Sequence, residues 1–236
     1  MGGERLLLMG DFGPVLIFVA VVAIIGIAII AHLQAAKRRE AWRQLAQRLG
    51  CEFSPSDPFN IPKTFSQSFF QQGHGRKASN VLYGAIQGRA LKCFDYRYKT
   101  GSGDNETTHS LTCLLLTPPI PFQPLSIRPE SFLDRVGEFF GLDDIDFESD
   151  EFSRRFFVKC PDKKFAYDIL HPRAMEFLME WGKVSLEARS DSILFCSPQT
   201  NRVLNVPEEV QQLIQHGLRF LELIPNYLLE QAKGAN

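Results

Sequence analysis

The longest uninterrupted apolar stretch of the chain runs from Phe12 to Leu33, FGPVLIFVAVVAIIGIAIIAHL, 22 residues without a formal charge. At about 1.5 Å of rise per residue, a helix of that length crosses the ~30 Å hydrocarbon core of a bilayer. Its apolar residues fall on every side of the helix, whereas a soluble helix needs only one apolar stripe. A secretory leader would carry a basic N-terminal region and an apolar run of about 7–15 residues. Here Arg5 stands beside Glu4 and Asp11, and the run is longer. The pattern predicts an uncleaved transmembrane helix over 12–33, with residues 1–11 as a short extracytoplasmic N-terminus.

After Leu33 the apolar positions take a helical period. Ala35, Ala36, Ala41, Trp42, Leu45, Ala46 and Leu49 mark one stripe and Gly50 a C-terminal stop, so residues 34–50 are expected to form a juxtamembrane helix. Ser54–Pro62 carries three prolines and is expected to be loop. From near Asn80 the period falls to two. NVLYGAIQGRALKCFDYRYKT predicts two strands separated by Gly88, and TTHSLTCLLLTPP a third. In the second strand Phe94, Tyr96 and Tyr98 alternate with Cys93, Asp95, Arg97 and Lys99, the signature of one buried face.

Pro118, Pro119, Pro121 and Pro124 then predict an extended connector. PESFLDRVGEFFG is expected to be a short helix with Pro129 near its start, followed by a linker into a strand at Phe156–Lys159, a turn at PDKK and a second short helix, HPRAMEFLMEWG. KVSLEARSDSILFCS has the pattern of a hairpin around Arg189–Asp191. The last element, from Pro207 to about Ala232, is an amphipathic helix expected to kink at Pro225. Strand pairs interspersed with helices, without a glycine-rich βαβ fingerprint, predict an α+β class. The expected architecture is one N-terminal transmembrane helix followed by a mixed, mainly antiparallel β-sheet domain with several packed helices over residues 51–236.

Charge adds orientation. Lys37, Arg38, Arg39 and Arg43 follow the apolar run closely, with Glu40 among them. Basic flanks stay on the cytoplasmic side, which places the C-terminal domain in the cytoplasm and the chain in the inner (plasma) membrane as a single-pass protein. Lys37, Arg38, Arg39 and Arg43 are then expected at the membrane surface, where anionic head groups attract each by about 1 kcal/mol. Beyond this cluster the charge is even. Residues 34–236 hold 25 basic and 25 acidic side chains, because only Arg5, Glu4 and Asp11 lie before them. Such balance argues against a nucleic-acid partner. Five cysteines without a C-x-x-C spacing argue against a disulfide scaffold or a zinc finger.

The stretch from Asp144 to Trp181 also carries a pattern: Glu151–Phe152, Phe156–Val158, Asp162, Tyr167–Leu170–Pro172 and the helix bearing Met175 and Leu178. With the companion runs AWRQLAQRLGCEF and FDYRYKTGSG, it resembles an uncharacterised bacterial family of membrane-anchored proteins, a domain of unknown function. The resemblance covers about two thirds of the chain. It implies a shared fold and membrane anchoring, and no reaction.

Candidate chemistry is sparse, and no catalytic residue or cofactor is expected. Six carboxylates fall between Asp143 and Glu151. If Asp144, Asp146 and Glu148 lay on one strand they would share a face able to hold a hard cation through oxygen ligands. The segment lacks the glycine and closing glutamate of a calcium loop, and a solvated face paired with Arg154, Arg155 and Lys159 accounts for the same residues. The Thr100–Asn105 turn lacks the spacing of a phosphate-binding loop. His109 and Cys113 could share a strand face, and Gly73-His74-Gly75-Arg76 has the look of a flexible loop. Cys113, however, precedes the apolar run Leu114–Leu116 and is expected to be an inert core thiol. Two P-x-x-P spacings in Pro118–Pro124 match the motif read by aromatic grooves, or a structural connector.

These features predict a membrane-anchored protein whose cytoplasmic domain binds or interacts with a protein partner beside the lipid bilayer. The alternatives are a membrane-tethered hydrolase or metal-dependent enzyme using the acidic segment or the His74 loop, and a lipid-surface sensor using the basic helix.

Overall fold

A computed structural model describes residues 12–129, 143–182, 184–196, 203–204 and 206–234. The chain divides into two units, Met1–Ala41 and Trp42–Asn236. Helix α1, Phe12–Arg48, contributes to both. Within the first unit every large apolar side chain from Val15 to Leu33 stands exposed, with Phe18 at 69% and Ile27 at 67%.

The second unit is built on an eight-stranded sheet in the order β1-β2-β3-β4-β8-β7-β5-β6, and each neighbouring pair is antiparallel. The strands are β1 (Glu52–Ser54), β2 (His74–Ile86), β3 (Arg89–Thr100), β4 (Thr107–Leu116), β5 (Phe122–Pro129), β6 (Phe156–Lys159), β7 (Ser185–Ser190) and β8 (Ser192–Cys196). The helices are α2 (Ile61–Thr64), α3 (Asp150–Arg155), α4 (Lys163–Ile169), α5 (Pro172–Trp181), α6 (Pro207–Glu222) and α7 (Asn226–Gly234). This is the expected α+β class.

Strand alternation sorts the core into two layers. Leu91 and Cys93 of β3, Leu114 and Leu116 of β4, and Ile193 and Phe195 of β8 belong to a large cluster with Trp42 and Leu45 of α1 and with the buried residues of α3–α6. Phe94, Tyr96 and Tyr98 of β3, Cys113 and Leu115 of β4, and Leu194 and Cys196 of β8 belong to a second cluster with Ile61, Phe69 and Phe70. Helix α6 lies so close to β4 that a Cβ on Gly217 would come within 2.6 Å of Leu114 and 2.9 Å of Leu116. A larger residue there would require the ends of those two leucine side chains to shift.

The sheet also departs from the sequence expectation at several places. Strand β2 begins at His74, six residues before Asn80, so the Gly73–Arg76 segment leads into a strand rather than a flexible loop. Asn80 itself has φ 50°, at a register shift that resumes the ladder at Leu82. The Ser54–Pro62 stretch is not free of helix, because Pro62 sits in the first turn of α2, where its missing N–H costs no hydrogen bond. PDKK is not a simple turn. Asp162 caps α4 by accepting from the Phe165 amide at 3.0 Å, and Ser149 caps α3 in the same way through the Phe152 amide at 3.3 Å.

Pro124 lies inside β5 at a register irregularity, and Pro129 ends that strand opposite Phe156 rather than opening a helix. The rest of the expected PESFLDRVGEFFG helix lies outside the described residues. The C-terminal element is two helices, because Leu223–Pro225 separates α6 from α7. On β3 the polar face is covered in part, with Cys93 and Asp95 buried and Arg97 exposed.

The prolines of the connector have a clear task. Hairpin β7–β8 inserts between β4 and β5, so Thr117–Pro121 must pass around its tip at Ser190–Ser192. An extended segment with three prolines suits such a span, since few of its backbone groups need a ladder partner, and the Thr117 amide is met by the Ala90 carbonyl at 3.0 Å.

Trp42 is fully buried and joins α1 to the helical face of the sheet. Trp42→Ala is expected to lower the unfolding free energy by about 3–5 kcal/mol, measured by urea titration of the full chain in detergent. A loss below about 1 kcal/mol would show that α1 does not contribute to this core.

Candidate functional site

The second face of the sheet owes its shape to one buried carboxylate. Glu187 on β7 accepts from the Ser68 amide at 2.5 Å, the Ser68 hydroxyl at 2.9 Å and the Phe69 amide at 3.1 Å. Arg189 donates to it from Nε at 3.3 Å and from the terminal nitrogen at 3.2 Å. Gln67 adds donor contacts from its amide nitrogen to Ser192, 2.9 Å to Oγ and 3.3 Å to the carbonyl oxygen. All of these side chains are at most 8% exposed. A buried ion pair of this kind persists because each lone pair and proton finds a partner. It fixes the 3₁₀ turn Ser68–Gln71 across the sheet, and the turn sets Phe69 tilted and Phe70 edge-on against Tyr96, at 5.4 and 5.3 Å between ring centroids. The gap beside Glu187, among Phe69, Arg128, Ser185 and Cys196, has a volume of about 10 Å³, no more than a water needs. The network is scaffold rather than ligand pocket.

Gln71, the last residue of that turn, also lines an open groove of about 840 Å³. One wall is Asp57, Asn60 and Lys63, and the other is Gly75, Arg76 and Lys77 at the start of β2. Asp57 is fully engaged: its two oxygens accept from the amides of Phe59 at 3.0 Å and Ile61 at 2.7 Å, which folds the Asp57–Ile61 wall. Arg76 is held by the Phe70 carbonyl at 2.7 Å and the Gln71 side chain at 3.2 Å. Lys63 and Lys77 are exposed and have no ion-pair partner among the described residues. Beside the groove, His74 and Lys99 converge on Glu106 at 2.9 and 2.6 Å. The bond from Lys99 first, and that from His74 second, hold the Glu106 carboxyl below its ordinary range.

A second, shallower groove of about 730 Å³ lies at the corner between α6 and α7. Its polar groups serve each other. His171 donates to the Leu223 carbonyl at 2.8 Å, and Asp168 takes Lys164 at 2.7 Å together with the Tyr227 hydroxyl. This corner is braced rather than poised.

The residues singled out in the sequence fall in separate places. Lys37 is exposed on α1 within the first unit, and Arg38 and Arg39 are half-buried there. Arg43 belongs to the second unit, with its guanidinium 5.7 Å from the centre of the Phe53 ring on β1. Asp144, Asp146 and Glu148 lie on an extended segment outside the sheet ladder, alternating with buried Ile145 and Phe147. Asp144 accepts from the Val158 amide at 2.6 Å and the Ile145 amide at 3.1 Å, which docks the segment on β6. Among the described residues no three His, Cys, Asp or Glu side chains gather as a metal-binding group. His109 stacks on Tyr98 and bonds to Thr100 Oγ1 at 2.8 Å, four positions along the strand from Cys113. Cys113 is fully buried with its sulfur 3.2 Å from that of Cys196, and burial pushes its thiol well up. A reactive thiolate needs the reverse.

The Asp144–Trp181 pattern proves to be a folding signature. Phe152, Phe156, Val158, Leu170 and Leu178 are core residues, Asp162 is a cap and Pro172 opens α5. Sequence reasoning missed Glu187 and the groove. The glutamate stands in a strand that pattern alone reads as half-solvated, and the groove's two walls are joined only by the folded chain. The basic residues Lys63, Arg76 and Lys77 were the available signal.

Fold and surface together define an α+β domain behind a long apolar helix, with polar grooves and no assembled catalytic constellation among the described residues. No protein-family model and no curated protein matches the chain in sequence. In structure it is similar to the crystal structure of the mycobacterial trehalose monomycolate transport factor A, TtfA, at a TM-score of 0.56 and 14% sequence identity. The match covers 81% of this chain and 94% of that chain. At that identity the likeness is one of fold, shared with a bacterial protein.

Two substitutions separate scaffold from ligand site. Glu187→Ala removes one partner of a buried pair and is expected to cost about 3–5 kcal/mol, with faster hydrogen exchange at the Ser68 and Phe69 amides. Asp144 is different. Burial raises its folded pKa above the ordinary 3.8. Its favourable contribution is therefore complete only below that pH and is lost as the carboxyl ionises. Asp144→Asn keeps both acceptor bonds and is expected to raise the urea midpoint at pH 7, with the gain vanishing below about pH 3.8. A fall at pH 7 would instead mark a carboxylate held by a cation.

Proposed function

We propose that this protein is a single-pass, membrane-anchored binding module without catalytic activity of its own. Residues 12–33 span the inner membrane with residues 1–11 outside, 34–50 form the juxtamembrane segment, and residues 51–236 are a cytoplasmic domain that engages a protein partner. Lys37, Arg38, Arg39 and Arg43 lie against the head groups on the cytoplasmic side.

The observation that carries the reading is the exposure of α1. From Val15 to Leu33 its large apolar side chains have roughly half or more of their surface uncovered, and the helix is long and apolar enough to cross a membrane. Water leaves such a surface uncovered only at a cost of about 25 cal/mol per Å², which a bilayer removes. The fold likeness to a transport factor supports an accessory role in a membrane transport process, with the domain acting through contacts rather than turnover.

Membrane extraction and a topology reporter test this reading. The protein is expected to resist extraction at alkaline pH, a C-terminal fluorescent fusion to light up, and a C-terminal alkaline phosphatase fusion to stay inactive. Affinity capture from detergent-solubilised membranes is expected to recover an enriched protein partner. Release at alkaline pH, or an active phosphatase fusion, would overturn the anchor or its orientation; capture of no partner would remove the binding role.

A further inference from the structure

The first half of β2 is an open sheet edge. Strand β1 pairs with β2 only from Val81 to Tyr83, and the ladder is prolonged by a single bond from the Asn80 amide to the Pro55 carbonyl at 3.1 Å. Beyond Pro55 the chain turns away to build the Asp57–Lys63 wall. On its other side β2 pairs with β3 as far as His74↔Lys99, with a register shift between His74 and Lys77. Over residues 75–79 the outer edge of β2 therefore has no strand partner among the described residues. Alternate residues of such an edge present both N–H and C=O outward, as a template for another strand. The groove of about 840 Å³ runs beside this edge, with Gly75, Arg76, Lys77 and Ala78 in its lining.

Charge selects the occupant. Lys63 stands on one wall and Arg76 and Lys77 on the other, against a single acid, Asp57, whose oxygens are spent on two backbone amides. A second copy presenting the same edge would set cations against cations, and like charges directly opposed across strands are unfavourable. Gly75, at the start of this edge, has φ 60° and carries no side chain over it. A carbonyl and amide ladder beside fixed cations matches an extended peptide that carries acidic side chains.

From this we infer that the β2 edge is a strand-addition site for an acidic, extended segment of a protein partner. The inference rests on the binding role proposed above and assigns it a surface. Backbone pairing along residues 75–79 supplies affinity, and Lys63, Arg76 and Lys77 select the acidic side chains.

The test uses the full chain in nanodiscs of zwitterionic lipid and a fluorescein-labelled peptide of alternating glutamate and threonine. Saturable binding by anisotropy is expected, at least tenfold weaker when every second peptide amide is N-methylated and at least tenfold weaker for the Lys63→Glu/Lys77→Glu double variant. Both lysines are exposed, so the double variant is expected to fold, which circular dichroism checks. Peptide binding is also expected to slow hydrogen exchange at residues 75–79. No saturable binding would overturn the inference. Equal binding of the N-methylated peptide, displaced by inorganic phosphate, would replace it with a simple anion site such as a head group uses. Sedimentation as a dimer that the peptide dissociates would assign the edge to a second copy. Partner capture repeated with the double variant keeps the two claims apart: equal capture refutes the groove and leaves the binding role standing, whereas peptide binding without any captured partner does the reverse.

Discussion

Among the described residues, four pairs, those between β4 and β8, join the two halves of the sheet. Cys113–Leu116 of β4 opposes Ile193–Cys196 of β8, and among the described residues no other ladder connects the β1–β4 meander to the β5–β8 half. Register at this seam decides everything placed on either face. It turns Leu114, Leu116, Ile193 and Phe195 toward the helices and Cys113, Leu115, Leu194 and Cys196 toward the aromatic layer. A slip of one residue would exchange the two sets, because strand side chains alternate with a period of two. Gly217 of α6 packs against the ends of Leu114 and Leu116, so the helix meets this register at a residue without a Cβ.

The two faces are covered by different physics. On the helical side, burial of Trp42, Phe152, Phe195 and Phe220 does the work, and the interactions are apolar and non-directional. On the other side the cover is a short segment with little regular structure, which cannot hold itself down by area alone. Its position comes from directed bonds: the amides of Ser68 and Phe69 converge on Glu187, and Gln67 on Ser192. Directed bonds give a fixed outline, and they hold the turn whose last residue, Gln71, lines the groove beside β2.

Much of this fold was legible in the sequence, for reasons that differ by element. Phe12–Leu33 is apolar without a period, and only a long helix uses such a run. The β3 alternation at Phe94, Tyr96 and Tyr98 and the turns at Gly88 and Asp191 were equally plain. Helices α3 and α4 escaped because each is only one or two turns long and is announced by a cap, Ser149 or Asp162, more than by periodicity. The start of β2 escaped because Gly73 and Gly75 look like a loop and serve instead to bend the strand. For the candidate site the sequence supplied the ingredients, three cations and a buried glutamate, and withheld their meeting. Asp57–Lys63 reaches Gly75–Ala78 only because the ladder between β1 and β2 ends at Ser54.

The seam also sets a schedule for the protein's birth. Cys113 and Cys196 lie 83 positions apart in the chain, and at about 5–20 residues per second a ribosome needs roughly 4–17 s to deliver the second after the first. Throughout that interval the apolar margin Cys113–Leu116 has emerged without its native neighbour, at the stage when a nascent chain is most prone to improper pairing. A newly made chain must therefore be shielded along β4 until hairpin β7–β8 slides in behind the proline-rich strap, and this late insertion is the step at which biogenesis is most exposed to failure.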